Sequence, residues 1–151
     1  MRVTFAPPLD PAAYRFVHRL RVRFAETDAM AVVHHGSYLL YLETCRVEYL
    51  RAIGHPYDQV RAEGADFPVI EVHVRYLRPL RFDEVVDVHV VVASSGPASF
   101  QMGYLLTVDG QARATAVTVH AAVDGPGRPV RTPGWVRELV DQPDAGKAAP
   151  A

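Results

Sequence analysis

A chain of 151 residues, 49% apolar and 22% charged, is long enough for one domain with its own core and too short for two comfortable ones. A formal net charge of -1 leaves no basic footprint for nucleic acid, and no apolar run approaches the roughly 20 residues of a membrane-spanning helix. The single cysteine, Cys45, excludes an internal disulfide framework; with no apolar signal core after Met1, a cytoplasmic setting is expected.

Residues 1–14 carry Pro7, Pro8 and Pro11 and are expected to form a flexible lead-in without regular structure. A single domain over 15–140 follows, and the tail 141–151, lacking apolar anchors, is expected to be flexible. Alternation over His18 to Phe24 predicts a first strand. From Ser37 to Ile53 the period becomes helical, with Tyr38, Leu39, Leu42, Cys45, Tyr49, Leu50 and Ile53 on one face. Gly54 supplies a C-terminal stop, and Pro56 to Gly64 predicts a short second helix. Strands are then expected over Phe67 to Leu77, Glu84 to Val92, Ser99 to Val108 and Gln111 to Val123, with Asp109-Gly110 as a hairpin turn. A closing helix is expected around Trp135 to Val140.

The fold class is therefore α+β: a strand, one long helix and four strands in series, most simply an antiparallel meander. The helix, spanning roughly 26 Å, can cover one face of the sheet. The other face is interrupted by Val85, Val91, Leu105, Val117 and Val119, which predicts burial against a second copy of the chain.

Between the first strand and the helix, the sequence runs from Arg23 through Glu26-Thr27-Asp28 to His34-His35-Gly36-Ser37-Tyr38. This sets the Asp28 carboxylate close to a helix N-terminus, where free N–H groups can hold a developing negative charge. Carboxylate plus oxyanion site is a minimal kit for cleaving an activated acyl group. Adjacent His34 and His35 are expected to point apart, and no ligand spacing exists among the other histidines, so no metal is expected. Glu43 lies three residues before Arg46, which sits in the apolar stripe and needs an acceptor; Glu43 is expected to be that partner in preference to a catalytic carboxylate. Cys45 is expected to be a buried packing residue. Arg75, Arg78 and Arg81 are candidates for phosphate contacts, set against plain solvation of a strand.

Three blocks carry a resemblance to a known family: Phe24-x-x-Thr27-Asp28; Val33-His34-His35-Gly36-Ser37-Tyr38; and Tyr41-x-Glu43-x-x-Arg46-x-Glu48-x-Leu50. Val74-Arg75-Tyr76-Leu77-Arg78-Pro79-Leu80 adds a fourth. Over about Val17 to Val123 the chain resembles hotdog-fold acyl-CoA thioesterases of the 4-hydroxybenzoyl-CoA thioesterase family. It departs at Ser37, where many members have Asn, and at Met30-Ala31, where Gly is frequent.

The resemblance implies an antiparallel sheet of about five strands wrapped around one long helix. It implies a homodimer or homotetramer with active sites between subunits, and no metal or other cofactor. It makes Asp28 the essential carboxylate, with His35 supplying a thioester-polarising backbone N–H. Gly36, Ser37, Tyr38 and Arg78 are expected to bind substrate, an acyl-CoA or acyl-carrier-protein thioester with a short-chain or aromatic acyl group. Tyr38, Tyr41, Val69, Phe100 and Met102 are candidates for the acyl pocket. Two alternatives use the same residues: a hotdog enoyl-CoA hydratase or dehydratase, which releases no thiol, and a non-catalytic acyl-CoA-binding module, which binds without turnover.

Overall fold

Helix α1, Ser37–Ala52, ends where Gly54 takes a φ of 85°, a left-handed conformation open to glycine at little cost. The Gly54 N–H returns to the Arg51 carbonyl and the His55 N–H to the Leu50 carbonyl, so the expected stop is made by backbone bonds. Tyr38, Tyr41, Leu42, Cys45, Tyr49 and Leu50 face inwards with Arg46 among them. Burial of such side chains contributes about 1.5–3 kcal/mol each. This holds α1 against two strands, β1 (Phe16–Arg21) and β3 (Val85–Ser95). Leu39, expected on the apolar face, is instead exposed.

The computed structural model describes residues 3–141; the expected tail falls outside the described residues beyond Asp141. With β2 (Val69–Tyr76), β4 (Ser99–Val108) and β5 (Gln111–Ala121), the strands form one antiparallel sheet in the order β1-β3-β4-β5-β2. The meander expected of the last four strands holds only from β3 to β5. β2 pairs with β5 at the far edge, because the segment Leu77 to Glu84 is anchored across the end of the sheet: Val33 N–H donates to the Leu80 carbonyl and Val22 N–H to the Glu84 carbonyl. β2 is consequently an edge strand, with Val69, Ile70, Val72 and Tyr76 exposed. Short helices α2 (Tyr57–Ala62) and α3 (Gly134–Asp141) close one end, where Trp135 stacks on His55 at 4.0 Å.

Two expectations about local structure change. The first strand stops at Arg21, since Phe24–Glu26 forms a 3-10 turn when the Glu26 carboxylate takes the Arg23 N–H at 2.8 Å. The lead-in, expected to lack regular structure, makes a 3-10 turn at Pro11–Ala13 capped by Asp10, and from Val3 it is laid across the outer face of the sheet. Thr4 and Gln101 exchange hydrogen bonds at 3.0 and 2.9 Å, and the Phe5 ring sits on Gly103. Leu105, Val117 and Val119 are fully buried within this single chain. Their expected cover by a second copy is therefore replaced, in part, by the chain's own N-terminal segment.

Candidate active site

The loop between the 3-10 turn and α1 is organised by Glu26. This buried carboxylate accepts the Arg23 N–H at 2.8 Å, the Arg23 guanidinium at 3.0 Å and the Tyr41 hydroxyl at 2.9 Å. Burial pushes the Glu26 carboxyl up, but these donors outweigh it and hold it below the ordinary range. The Glu26 carbonyl takes the His34 N–H at 2.8 Å and the Ser37 hydroxyl at 3.1 Å. Glu26 was not singled out from the sequence, although a carboxylate three residues after Arg23, at the spacing of a helical ion pair, is a local signal for this anchor.

Asp28 occupies a tight turn. Its N–H donates to the Val32 carbonyl and its carbonyl accepts from Ala31 N–H, both at 2.9 Å; Oδ1 accepts the Met30 N–H at 2.9 Å. Ala31 closes the turn with a φ of 61°. The carboxylate is thus oriented through one oxygen, and it lines a cleft of about 260 Å³ together with His35, Tyr38, Tyr76 and Arg78. Met30, Val32, Val33, Leu77 and Pro79 supply the apolar wall. Tyr76, Leu77 and Pro79 enter only because β2 and its following loop pass the start of α1, which periodicity alone does not reveal.

At the helix start no side chain caps the N-terminus. The Gly36 N–H donates to Nδ1 of His34 at 2.9 Å, which places the His34 proton on Nε2. Contrary to expectation, the His34 and His35 rings do not diverge: that hydrogen bond folds His34 back over its own turn, and the rings stack at 4.0 Å. The Tyr76 hydroxyl donates to the His35 carbonyl at 2.9 Å, fixing the peptide on the other side. Among the described residues the His35 N–H has no acceptor. Tyr38 is buried, which raises its phenol pKa, while a hydrogen bond from the Leu80 backbone opposes the rise.

Of the six residues expected in the site, Asp28, His35, Tyr38 and Arg78 therefore share one cleft. Gly36 and Ser37 stand behind it, their groups spent on His34 and Glu26. Arg78 has no ion pair among the described residues, whereas Arg75 lies on the outer face beneath the lead-in and Arg81 N–H is taken by Glu84. Tyr41, Phe100 and Met102, expected to line the acyl pocket, are packed in the core, and Val69 lines a separate cavity. Glu43 does not partner Arg46: it is exposed, and no carboxylate pairs with that guanidinium among the described residues. Cys45 is buried and bonds the Val88 carbonyl, as a packing residue should. Among the described residues, no three His, Cys, Asp or Glu side chains gather as a metal site, and no helix is long and apolar enough to cross a membrane.

Residues 22–140 match the family model described as the thioesterase-like superfamily. A hypothetical protein of Aquifex aeolicus with a solved structure is 35% identical, superposes with a TM-score of 0.78, and the match covers 83% of this chain and 98% of that one. A thioesterase of Thermus thermophilus, solved with coenzyme A and zinc, is 31% identical with a TM-score of 0.69, over 82% of this chain and 97% of that one. The acyl-CoA thioester hydrolase YbgC of Escherichia coli O6:H1 is 33% identical over 75 residues, half of this chain and 56% of that one.

Proposed function

Because the chain belongs to the thioesterase-like superfamily and is a thioester hydrolase, we propose that it cleaves acyl-CoA at the cleft shared by Asp28 and His35. A carrier-protein thioester is the second substrate this chemistry accommodates. The carrying observation is that Asp28 and His35, whose N–H has no acceptor among the described residues, line one cleft beside the uncapped start of α1. The thioester oxygen accepts the His35 N–H, and the positive end of the α1 dipole stabilises the tetrahedral oxyanion. Asp28, free through its second oxygen, either attacks the carbonyl carbon to give an anhydride that water opens, or takes a proton from the attacking water. In both routes the thiolate leaves and the acyl group departs as the acid. Arg78, which lines the cleft beside Pro79, meets phosphates of coenzyme A in this scheme. The open β2 edge, with its exposed Val69, Ile70 and Val72, is the seam of a homodimer in this scheme.

Asp28→Asn, assayed for thiol release on a panel of acyl-CoAs, is expected to lose about 10²–10⁴ in turnover with an unchanged melting temperature. Retention within about tenfold removes Asp28 from the chemistry. Hydration of crotonyl-CoA without thiol release would favour the hydratase, and tight binding without turnover the non-catalytic module.

A further inference from the structure

A second cavity, of about 210 Å³, opens between α1 and β2, lined by Leu39, Leu42, Glu43 and Arg46 from the helix, Val69 and Val72 from the strand, and Tyr104 and Thr118 beneath. Arg46 is 8% exposed, its guanidinium lies over the Tyr57 ring at 5.4 Å, and Nη1 has no partner. No carboxylate forms an ion pair with it among the described residues. A buried cation without a counter-ion is costly, and such a charge on a cavity wall is matched by an anion that arrives with a ligand.

The cavity and the Asp28 cleft lie in sequence along the same seam. Tyr38 on α1 and Tyr76 on β2 belong to the cleft; farther along, Leu42 and Arg46 on α1 and Val72 and Val69 on β2 belong to the cavity. Arg46 follows Ser37, the first residue of α1, by nine residues, roughly 13 Å along the axis, and helix side chains lean back towards the N-terminus. The Tyr38 and Tyr76 rings meet edge to face at 4.9 Å at the cleft end, and the charged groups of the cavity are the buried Arg46 and the exposed Glu43. We propose that the acyl group lies along this seam and ends in a carboxylate paired with Arg46, so that the preferred substrates are mono-thioesters of dicarboxylic acids. The proposal rests on the thioesterase reading and adds the substrate class.

The test compares adipoyl-, suberoyl- and sebacoyl-CoA with hexanoyl-, octanoyl- and decanoyl-CoA on wild type and Arg46→Met. Wild type is expected to favour the carboxylated chain of at least one matched pair by about tenfold or more in kcat/KM. Arg46→Met is expected to erase that preference while leaving the methyl-ended chains within about threefold. Arg46→Lys, which keeps the charge, is expected to retain part of it. Indifference of wild type to the terminal group, as a second copy's carboxylate filling the cavity would cause, overturns the proposal even if Arg46→Met fails to fold. An equal loss on all chains in Arg46→Met, signalling a structural role only, overturns it as well. Both outcomes leave the thioesterase reading standing; absence of thiol release from every acyl-CoA overturns the two together.

Discussion

The Tyr41 hydroxyl donates to the Glu26 carboxylate at 2.9 Å, tying the second turn of α1 to the loop that carries Asp28. Both groups are buried, so neither can turn to water if the other is lost. Tyr41→Phe is expected to cost about 1–3 kcal/mol, because it leaves a buried carboxylate short of a donor. Glu26→Ala removes the anchor of the Arg23 N–H as well, and is expected to lower kcat more than it raises KM, as the Asp28 turn loosens beside an intact cleft. Urea titration and initial rates on one acyl-CoA check the two; a Tyr41→Phe midpoint equal to wild type would refute the coupling.

Ala31 sits at a φ of 61° where a side chain costs roughly 1 kcal/mol relative to glycine. Ala31→Gly relieves that strain, offset in part by greater freedom of the unfolded chain. The net expectation is a small gain in stability, with Asp28 turnover retained because the turn's three hydrogen bonds are unchanged. A melting temperature several degrees below wild type would show that the turn is held by its neighbours without strain.

Much of this architecture is legible in the sequence, because it depends on period and punctuation. The α1 stripe, the Gly54 stop and the Asp109-Gly110 turn each follow from one local rule, and the structure has them where they were expected except that Leu39 leaves the stripe for the surface. What depends on long-range choice is not legible. Nothing in Phe67 to Leu77 says that it pairs with β5 and not β3, since the anchoring of Leu80 and Glu84 lies on Val33 and Val22. The same holds for Tyr76, brought to the cleft by that pairing, and for Glu43, whose spacing to Arg46 permits an ion pair that the side chains do not make. A helical spacing states which groups can meet; packing decides whether they do.

His120 lies in the core between Thr118 Oγ1, 2.8 Å from Nε2, and the Phe67 carbonyl, 3.1 Å from Nδ1. Burial first, then the charge of Arg46, push its pKa down to about 4 against the pull of that carbonyl. In the unfolded chain it returns to about 6.5. The folded state thus refuses a proton that the unfolded state accepts: the stability is fully present above about pH 6.5 and is lost progressively as the pH falls towards 4. The loss is about 3 kcal/mol, before the depressed carboxyls of Glu26 and Glu84 add theirs at lower pH. Urea midpoints at about pH 7 and about pH 4.5 measure it. His120→Gln, which can still pair with Thr118, is expected to flatten that dependence even if it lowers stability overall; an unchanged slope would assign the titration to another group.

Gly103 lies on β4 directly beneath the Phe5 ring, and a Cβ added there would collide with that ring. The strand cannot yield, being paired on both sides with β3 and β5, so the lead-in must move. Gly103→Ala is expected to lift the segment Val3 to Leu9 from the outer face, while the Asp28 cleft, whose polar residues lie apart from that segment, keeps its activity. Loss of this cover uncovers part of the apolar surface around Val117. Faster proteolytic nicking of the lead-in and increased binding of a hydrophobic dye are the expected signs, with Phe5→Ala in the Gly103→Ala background removing the clash and slowing the nicking. If nicking is as slow in Gly103→Ala as in wild type, Phe5 accommodates the methyl group by rotating in place, and the lead-in is held chiefly by the Thr4 and Gln101 hydrogen bonds.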